Sequence, residues 1–244
     1  MVAHPAISGA WRSVGWQHVD VRFVLVHGTT QSPEGWNLLA RYLTGLGATV
    51  ETIDLAACGA EATSREYGEA AGAQLSAQRP DVVVAHSGSG LLLPAIASAM
   101  DAKVQVYLAA FIPDGRSSLI DELAEAADKV MHEDWIGADP TTDHAAARHF
   151  LFHDCDVDDV DWAIGTLRSF VPVAVYSEVV SLAPHIPAVA VVPESDRTLR
   201  TEWMIAAAKA RLGVEPVVVP GGHCPHVSRP ADLAKVLISA TSSF

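Results

Sequence analysis

Six short runs of apolar, largely β-branched residues recur along the chain, and the stretches between them carry apolar residues at helical spacing. The runs at 21–26, 49–53, 82–85, 104–109, 189–192 and 216–219 read as strands. Segments 34–46, 65–78, 91–100, 198–212 and 230–239 read as helices. Near-continuous Val, Ile and Leu in the strands implies that helices cover both faces of the sheet. A mostly parallel α/β sheet has that property.

The alternation stops between Asp114 and Leu182. Three helical pieces follow one another there, at 119–130, 145–152 and 160–170, with Asp154, Asp156, Asp158, Asp159 and Asp161 packed together around the start of the third. The pattern predicts a helical cap over 114–182, inserted into a core made of 21–113 and 183–244, with 1–20 as an N-terminal extension. Such a cap would lie over the carboxyl ends of the strands, where open α/β sheets bind ligands.

Composition narrows the function classes. Half of the 244 residues are hydrophobic and 18% are charged, as in a compact globular chain. A formal net charge of −13 argues against nucleic acid or an anionic membrane as partner. Cys58, Cys155 and Cys224 are odd in number and widely spaced, which implies no disulfide framework. The first 20 residues lack a continuous apolar stretch, and no segment is apolar enough to span a bilayer. A cytoplasmic protein without a membrane partner is the expectation. The pattern does not set the number of copies, a homodimer being one option.

The most informative local feature is Val82-Val83-Val84-Ala85-His86-Ser87-Gly88-Ser89-Gly90. A buried strand enters a turn of small residues and leaves as a helix, with the Ser87 hydroxyl at the bend. Small residues two before and two after such a serine let strand and helix approach, and Ala85 and Ser89 meet that need. Ser89 fails the same test, because Leu91 would be its second neighbour. A helix N-cap is the ordinary role for a serine here, yet the geometry suits a nucleophile.

A serine hydroxyl needs a base, and the base needs a group to orient it. His223 follows the last strand in the glycine loop Gly221-Gly222-His223, with His226 as rival beyond Pro225. The run Pro193-Glu194-Ser195-Asp196 follows the preceding strand, so Asp196 is the expected acid, ahead of Glu194 and Asp114. The order serine, acid, histidine is the one that hydrolases on such sheets share. An oxyanion hole needs two N–H donors: Gly88 supplies one and Thr29, in the loop Val26-His27-Gly28-Thr29-Thr30, the other. His27 reads as a loop-fixing partner, and Gly28 lets the backbone bend close. Gly28, Thr30, Trp135 and Trp162 are the pocket candidates. His149 and His153, with Asp154 and Cys155, have partial metal-ligand spacing but no second pair. His223, Cys224 and His226 have a similar potential that the serine–histidine reading absorbs. No metal and no cofactor is expected.

With these pieces placed, the chain resembles the α/β-hydrolase superfamily, and within it the small plant-type methylesterase and hydroxynitrile lyase group and its bacterial esterase relatives. The resemblance rests on Phe23-Val24-Leu25-Val26-His27-Gly28, Ile53-Asp54-Leu55-Ala56-Ala57-Cys58-Gly59, the Ser87 turn, Tyr107-Leu108-Ala109-Ala110-Phe111-Ile112-Pro113-Asp114, the stretch around Asp196, and Gly222-His223. It implies a serine esterase that cleaves a small carboxylic ester through an acyl-enzyme, on the α/β-hydrolase fold with a helical cap. The lyases of that group carry a threonine at the position of Gly28 and a lysine after the catalytic histidine, where this chain has Cys224. That departure disfavours carbon–carbon lyase chemistry. A lactone or thioester hydrolase, a cyclase of secondary metabolism and a non-hydrolytic ligand-binding protein are the alternatives on the same site.

Overall fold

The computed structural model describes residues 20–76, 78–242 and 244, so the expected extension over 1–20 lies outside them except for Asp20. Six parallel strands form one sheet: β1 (Arg22–Val26), β2 (Thr49–Ile53), β3 (Val82–His86), β4 (Val104–Leu108), β5 (Ala188–Pro193) and β6 (Val217–Val219). Their spatial order is β2-β1-β3-β4-β5-β6, with every neighbouring pair parallel. The sheet is parallel throughout and flanked by helices, as the strand pattern leads one to expect.

Side chains alternate between faces along each strand, and the core divides accordingly. Val24, Val26, Val83, Ala85, Ala190 and Val192 face one way, against Tyr67, Leu93, Ile96 and Met204. Phe23, Leu25, Val84, Val106, Leu108 and Val191 face the other, against Trp36, Leu39, Leu43 and Leu237. Helices Ser64–Ala73, Leu93–Ala99 and Thr201–Ala207 therefore cover one side, and Asn37–Gly45 and Pro230–Thr241 the other. β3 and β4 are buried along their whole length, while the edge strands β2 and β6 are partly exposed.

Helix boundaries shift for local reasons. The first helix on the Tyr67 side begins at a capping box, with Thr63 and Glu66 each accepting from the other's backbone, and stops at Ala73, short of the expected 78. The helix expected at 198–212 starts only at Thr201, because Thr198 and Leu199 give their N–H groups to Asp196 instead, and it ends in a π-turn over Ala208–Leu212. In segment 114–182, Leu119–Val130 matches expectation and starts at a Ser118/Asp121 capping box. The helix expected at 160–170 is instead Val157–Gly165, and 166–170 is irregular because its backbone pairs with the loop after β1. A one-turn helix, Val173–Tyr176, was not expected at all.

Two close approaches hold the layers together. Gly68 lies where a Cβ would meet the Ala95 carbonyl oxygen at 2.8 Å, so two helices on one face pack backbone to backbone. Gly90 is tighter still: a Cβ there would run into the carbonyl oxygen of Phe111 and sit 2.9 Å from Ala110 Cβ. Gly90→Ala should therefore cost roughly 3 kcal/mol, since a backbone carbonyl after β4 has nowhere to retreat. Gly165→Ala, which meets open space, should stay within about 0.5 kcal/mol of the parent. Urea unfolding midpoints of the two variants test the contrast; equal midpoints would show that the turn has slack.

Candidate active site

The sheet order reverses direction at β1, which has β2 on one side and β3 on the other. That is the switch point at which open α/β sheets form a crevice. Register pairs Val26 with Ala85, so His27, which follows β1, and His86, the last residue of β3, leave the sheet side by side.

Ser87 occupies the bend with φ of +54°. A non-glycine residue in the left-handed region stores on the order of 1–3 kcal/mol of strain, here held by the tight packing of the glycines around it. Gly28 has room for no side chain: a Cβ would lie 2.8 Å from His86 Nδ1 and 3.0 Å from Ser87 Cβ. Ser89 is fully buried and donates to the His27 carbonyl at 2.6 Å. Ser87 is half-exposed, and its Oγ lies 2.9 Å from His223 Nε2.

His223 is buried, and its Nδ1 lies 2.7 Å from Asp196 Oδ2 and 2.8 Å from Thr198 Oγ1. The other carboxylate oxygen, Asp196 Oδ1, accepts from Thr198 N at 2.7 Å, Leu199 N at 3.1 Å and Thr198 Oγ1 at 3.0 Å. One carboxylate thus ties its own loop with one oxygen and faces the imidazole with the other. The rival acids are elsewhere. Asp114 is taken up by its own turn, accepting from Arg116 N and from Ser117, and Glu194 is exposed.

Three further histidines surround this line. His27 donates from Nδ1 to the Gly28 carbonyl, and its Nε2 accepts from Leu55 N, which requires the neutral ring. Burial lowers its pKa in keeping with that. His86 Nδ1 lies 2.9 Å from Gln31 Oε1 and its Nε2 2.8 Å from the His223 carbonyl, two acceptors of which the neutral ring donates to one. Burial holds it well below the usual histidine range. His226 does not reach Ser87; its ring lies between Trp36 and His86, with Nδ1 buried and unpartnered. Burial, and then the neighbouring His223, push His226 down to about 3.

Donor atoms of His86, Cys224 and His226 lie within 4.8 Å of one another, a grouping in which His86 stands where His223 was considered from sequence. Burial keeps the Cys224 thiol protonated, and Gln31 Nε2 donates to its sulfur at 3.5 Å. His149 and His153 do not converge. Arg197 donates to His149, while His153 Nε2 meets the Ser195 carbonyl at 3.0 Å.

Segment 114–182 reaches this site at several points. Thr30 N–H donates to the Phe170 carbonyl at 2.8 Å, and Arg168 N–H to the Thr30 carbonyl at 3.1 Å. Arg168 also grips both oxygens of Asp54, which lies on the core, and this holds the Asp54 carboxyl below its ordinary range. Asp154 Oδ2 accepts from Gly222 N at 2.9 Å, one residue before His223. A side chain at Gly221 would strike Asp154 and Arg229, and one at Gly222 would strike His153 and Asp154. Asp154 was expected as one of an acidic cluster and beside His149 and His153 as a partial metal-ligand grouping; no local pattern announces that it holds the histidine loop. Trp135 and Trp162 pack on a satellite cluster of Ala147, Leu151, Val160, Ala163, Cys224 and Val227, with Trp135 also 5.3 Å from Phe150. No helix among the described residues is long and apolar enough to cross a membrane.

Comparison with known proteins agrees with the architecture. The profile of the alpha/beta hydrolase family matches residues 23–236. Methylesterase 8 of Arabidopsis thaliana is 27% identical, over 91% of this chain and 90% of that protein. Among solved structures, polyneuridine aldehyde esterase superposes with a TM-score of 0.75 at 19% identity, covering 91% of this chain and all of that one. An Arabidopsis methylesterase superposes with a TM-score of 0.70 at 19% identity, over 92% of this chain and 100% of its own.

The buried neutral histidines carry a pH signature. His226 has a folded pKa near 3 against an ordinary value of 6.5, so between those values the unfolded chain binds more protons. Its stabilising effect is complete above pH 6.5 and is lost as pH falls toward 3, amounting to about 2 kcal/mol by pH 5. His226→Phe should flatten the fall in urea midpoint between pH 7 and pH 5. Parallel pH curves for variant and parent would assign the acid sensitivity to other groups.

Proposed function

The chain belongs to the alpha/beta hydrolase family, and on that footing we propose that it is a serine hydrolase that cleaves a small carboxylic ester through an acyl-enzyme. The observation that carries the reading is the unbroken line Ser87 Oγ, His223 Nε2, His223 Nδ1, Asp196 Oδ2, with contacts of 2.9 and 2.7 Å. The named esterases among its relatives and neighbours support the reaction class.

In this reading Ser87 attacks the ester carbonyl while His223 Nε2 takes the hydroxyl proton. Asp196 holds the Nδ1–H tautomer and stabilises the imidazolium as it forms. The Gly88 and Thr29 N–H groups receive the charge on the tetrahedral oxygen. His223 then returns its proton to the departing alkoxide, and an alcohol leaves. Water, deprotonated by the same histidine, attacks the acyl-enzyme, and the histidine returns that proton to Ser87 Oγ as the acid leaves. The acyl group is assigned to the space between Ser87 and segment 114–182, with Gly28, Thr30, Trp135 and Trp162 as pocket residues.

Residue chemistry separates this reading from its rivals. Lyase chemistry in the resembling group calls on a cation after the histidine. Here the residue is Cys224, fully buried and kept neutral. A binding protein on this fold has no need for a serine, an imidazole and a carboxylate in hydrogen-bond register. Ser87→Ala should lower kcat for p-nitrophenyl acetate by on the order of 10⁶, and His223→Ala nearly as much. Asp196→Asn should keep the loop, because its oxygen still accepts from Thr198 and Leu199. Its amide would present N–H to Nδ1, select the wrong tautomer and cost about 10⁴. A fluorophosphonate probe should label the parent at Ser87 and leave Ser87→Ala unlabelled. Labelling that persists in Ser87→Ala would refute the assignment.

A further inference from the structure

Two hydroxyls beside Gly88, the residue after Ser87, have no part in the mechanism above. Tyr176 closes the one-turn helix Val173–Tyr176, and its Oη lies 2.5 Å from Thr29 Oγ1. Both oxygens press on Gly88: a side chain there would collide with Thr29 Oγ1 and come within 2.5 Å of Tyr176 Oη. The pair therefore borders the backbone N–H groups assigned to the oxyanion, rather than a remote part of the pocket.

Proton counting gives the pair a function. Two hydroxyls own two hydrogens, and the bond between them uses one, whichever oxygen donates. The second O–H remains free to donate, and it belongs to a polarised chain in which each hydrogen bond strengthens the next. We infer that the Thr29–Tyr176 hydroxyl pair is a third donor of the oxyanion hole, presenting its free O–H to the tetrahedral oxygen alongside the Gly88 and Thr29 N–H groups. The inference deepens the ester-hydrolase reading and rests on it.

The chemistry balances without any net transfer. As the carbonyl becomes an alkoxide its oxygen gains charge, the donated hydrogen bond shortens, and the proton stays on its hydroxyl. When the intermediate collapses the bond relaxes. Burial pushes the Tyr176 phenol up to about 12, so it keeps its proton across the neutral range. The two hydroxyls come from separate parts of the chain, Thr29 from the loop after β1 and Tyr176 from segment 114–182. The backbone bonds between Thr30 and Arg168–Phe170 hold those parts in register. A donor fixed before the charge appears costs no reorganisation when it does.

The test uses the full chain, p-nitrophenyl acetate as substrate and an aryl trifluoromethyl ketone as transition-state analogue. Tyr176→Phe and Thr29→Val should each lower kcat by about 10- to 100-fold, with KM within about twofold, at or below what one oxyanion donor supplies. Affinity for the ketone should fall by the same factor as kcat/KM, because both report transition-state binding. Thr29→Ser keeps the hydroxyl and should restore kcat to within about threefold of the parent. Saturating fluorophosphonate should still label Ser87 in all three variants, showing an intact fold and nucleophile. Unchanged kcat in Tyr176→Phe and Thr29→Val, or a raised KM with kcat intact, would overturn the inference while leaving the hydrolase reading standing. A parent chain that the probe does not label would overturn both.

Discussion

Everything at this site depends on one crowded turn. Ser87 is held at positive φ between β3 and the following helix, and three glycines make the crowding possible. Gly28 lets the β1 loop touch Ser87 and His86, Gly88 accommodates Thr29 and Tyr176, and Gly90 lets the turn lie on the carbonyl of Phe111. A methyl group at any of them would push apart two elements that must touch. The strain at Ser87 is sustained because close-packed interiors do not deform gradually. Exposure of the Ser87 hydroxyl, beside a fully buried Ser89, follows directly from that turn.

Behind the turn lies an electrostatically quiet region. His27, His86, His226 and Cys224 are all buried, and burial favours the neutral form of each. Among these groups the Asp196 carboxylate faces the His223 ring, with its remaining oxygen satisfied by two backbone N–H groups and a hydroxyl. A buried carboxylate left unpartnered would be costly. Here its loop and the imidazole share it, so the same bonds that stabilise the turn also orient the ring.

The segment between Asp114 and Leu182 shares the apolar core, with Leu119, Val130, Phe170, Val175 and Val180 packed in the main cluster, and it is also joined to the site by polar contacts. Asp154 holds the backbone one residue before His223, Arg168 clasps Asp54, and Thr30 exchanges two backbone bonds with Arg168 and Phe170. Each contact lands on a loop at the carboxyl end of a strand. Movement of this segment would therefore be felt at the loop after β1 and at the histidine loop together.

Much of this was legible in the chain itself. Strand positions followed from β-branched runs, because a strand buried on both faces leaves a continuous apolar signature whatever its neighbours are. The serine turn, the glycine loop before His223 and the acid after β5 were legible for a similar reason: short-range steric demands restrict which residues fit. What the chain did not disclose are contacts between distant residues. Nothing local to Asp154 marks it as the clamp on Gly222, 68 positions away. Nothing local to Tyr176 marks it as the partner of Thr29, 147 positions away. The late start of the helix at Thr201 was hidden too, since Asp196 competes for the N–H groups that would otherwise begin it. Sequence alone determined the sheet, the serine turn and the loops that carry His223 and Asp196, because backbone sterics and hydrophobic periodicity act over a few residues. Only the tertiary structure decided which groups face one another across the site, because hydrogen bonds between remote segments exist only once packing has brought those segments together.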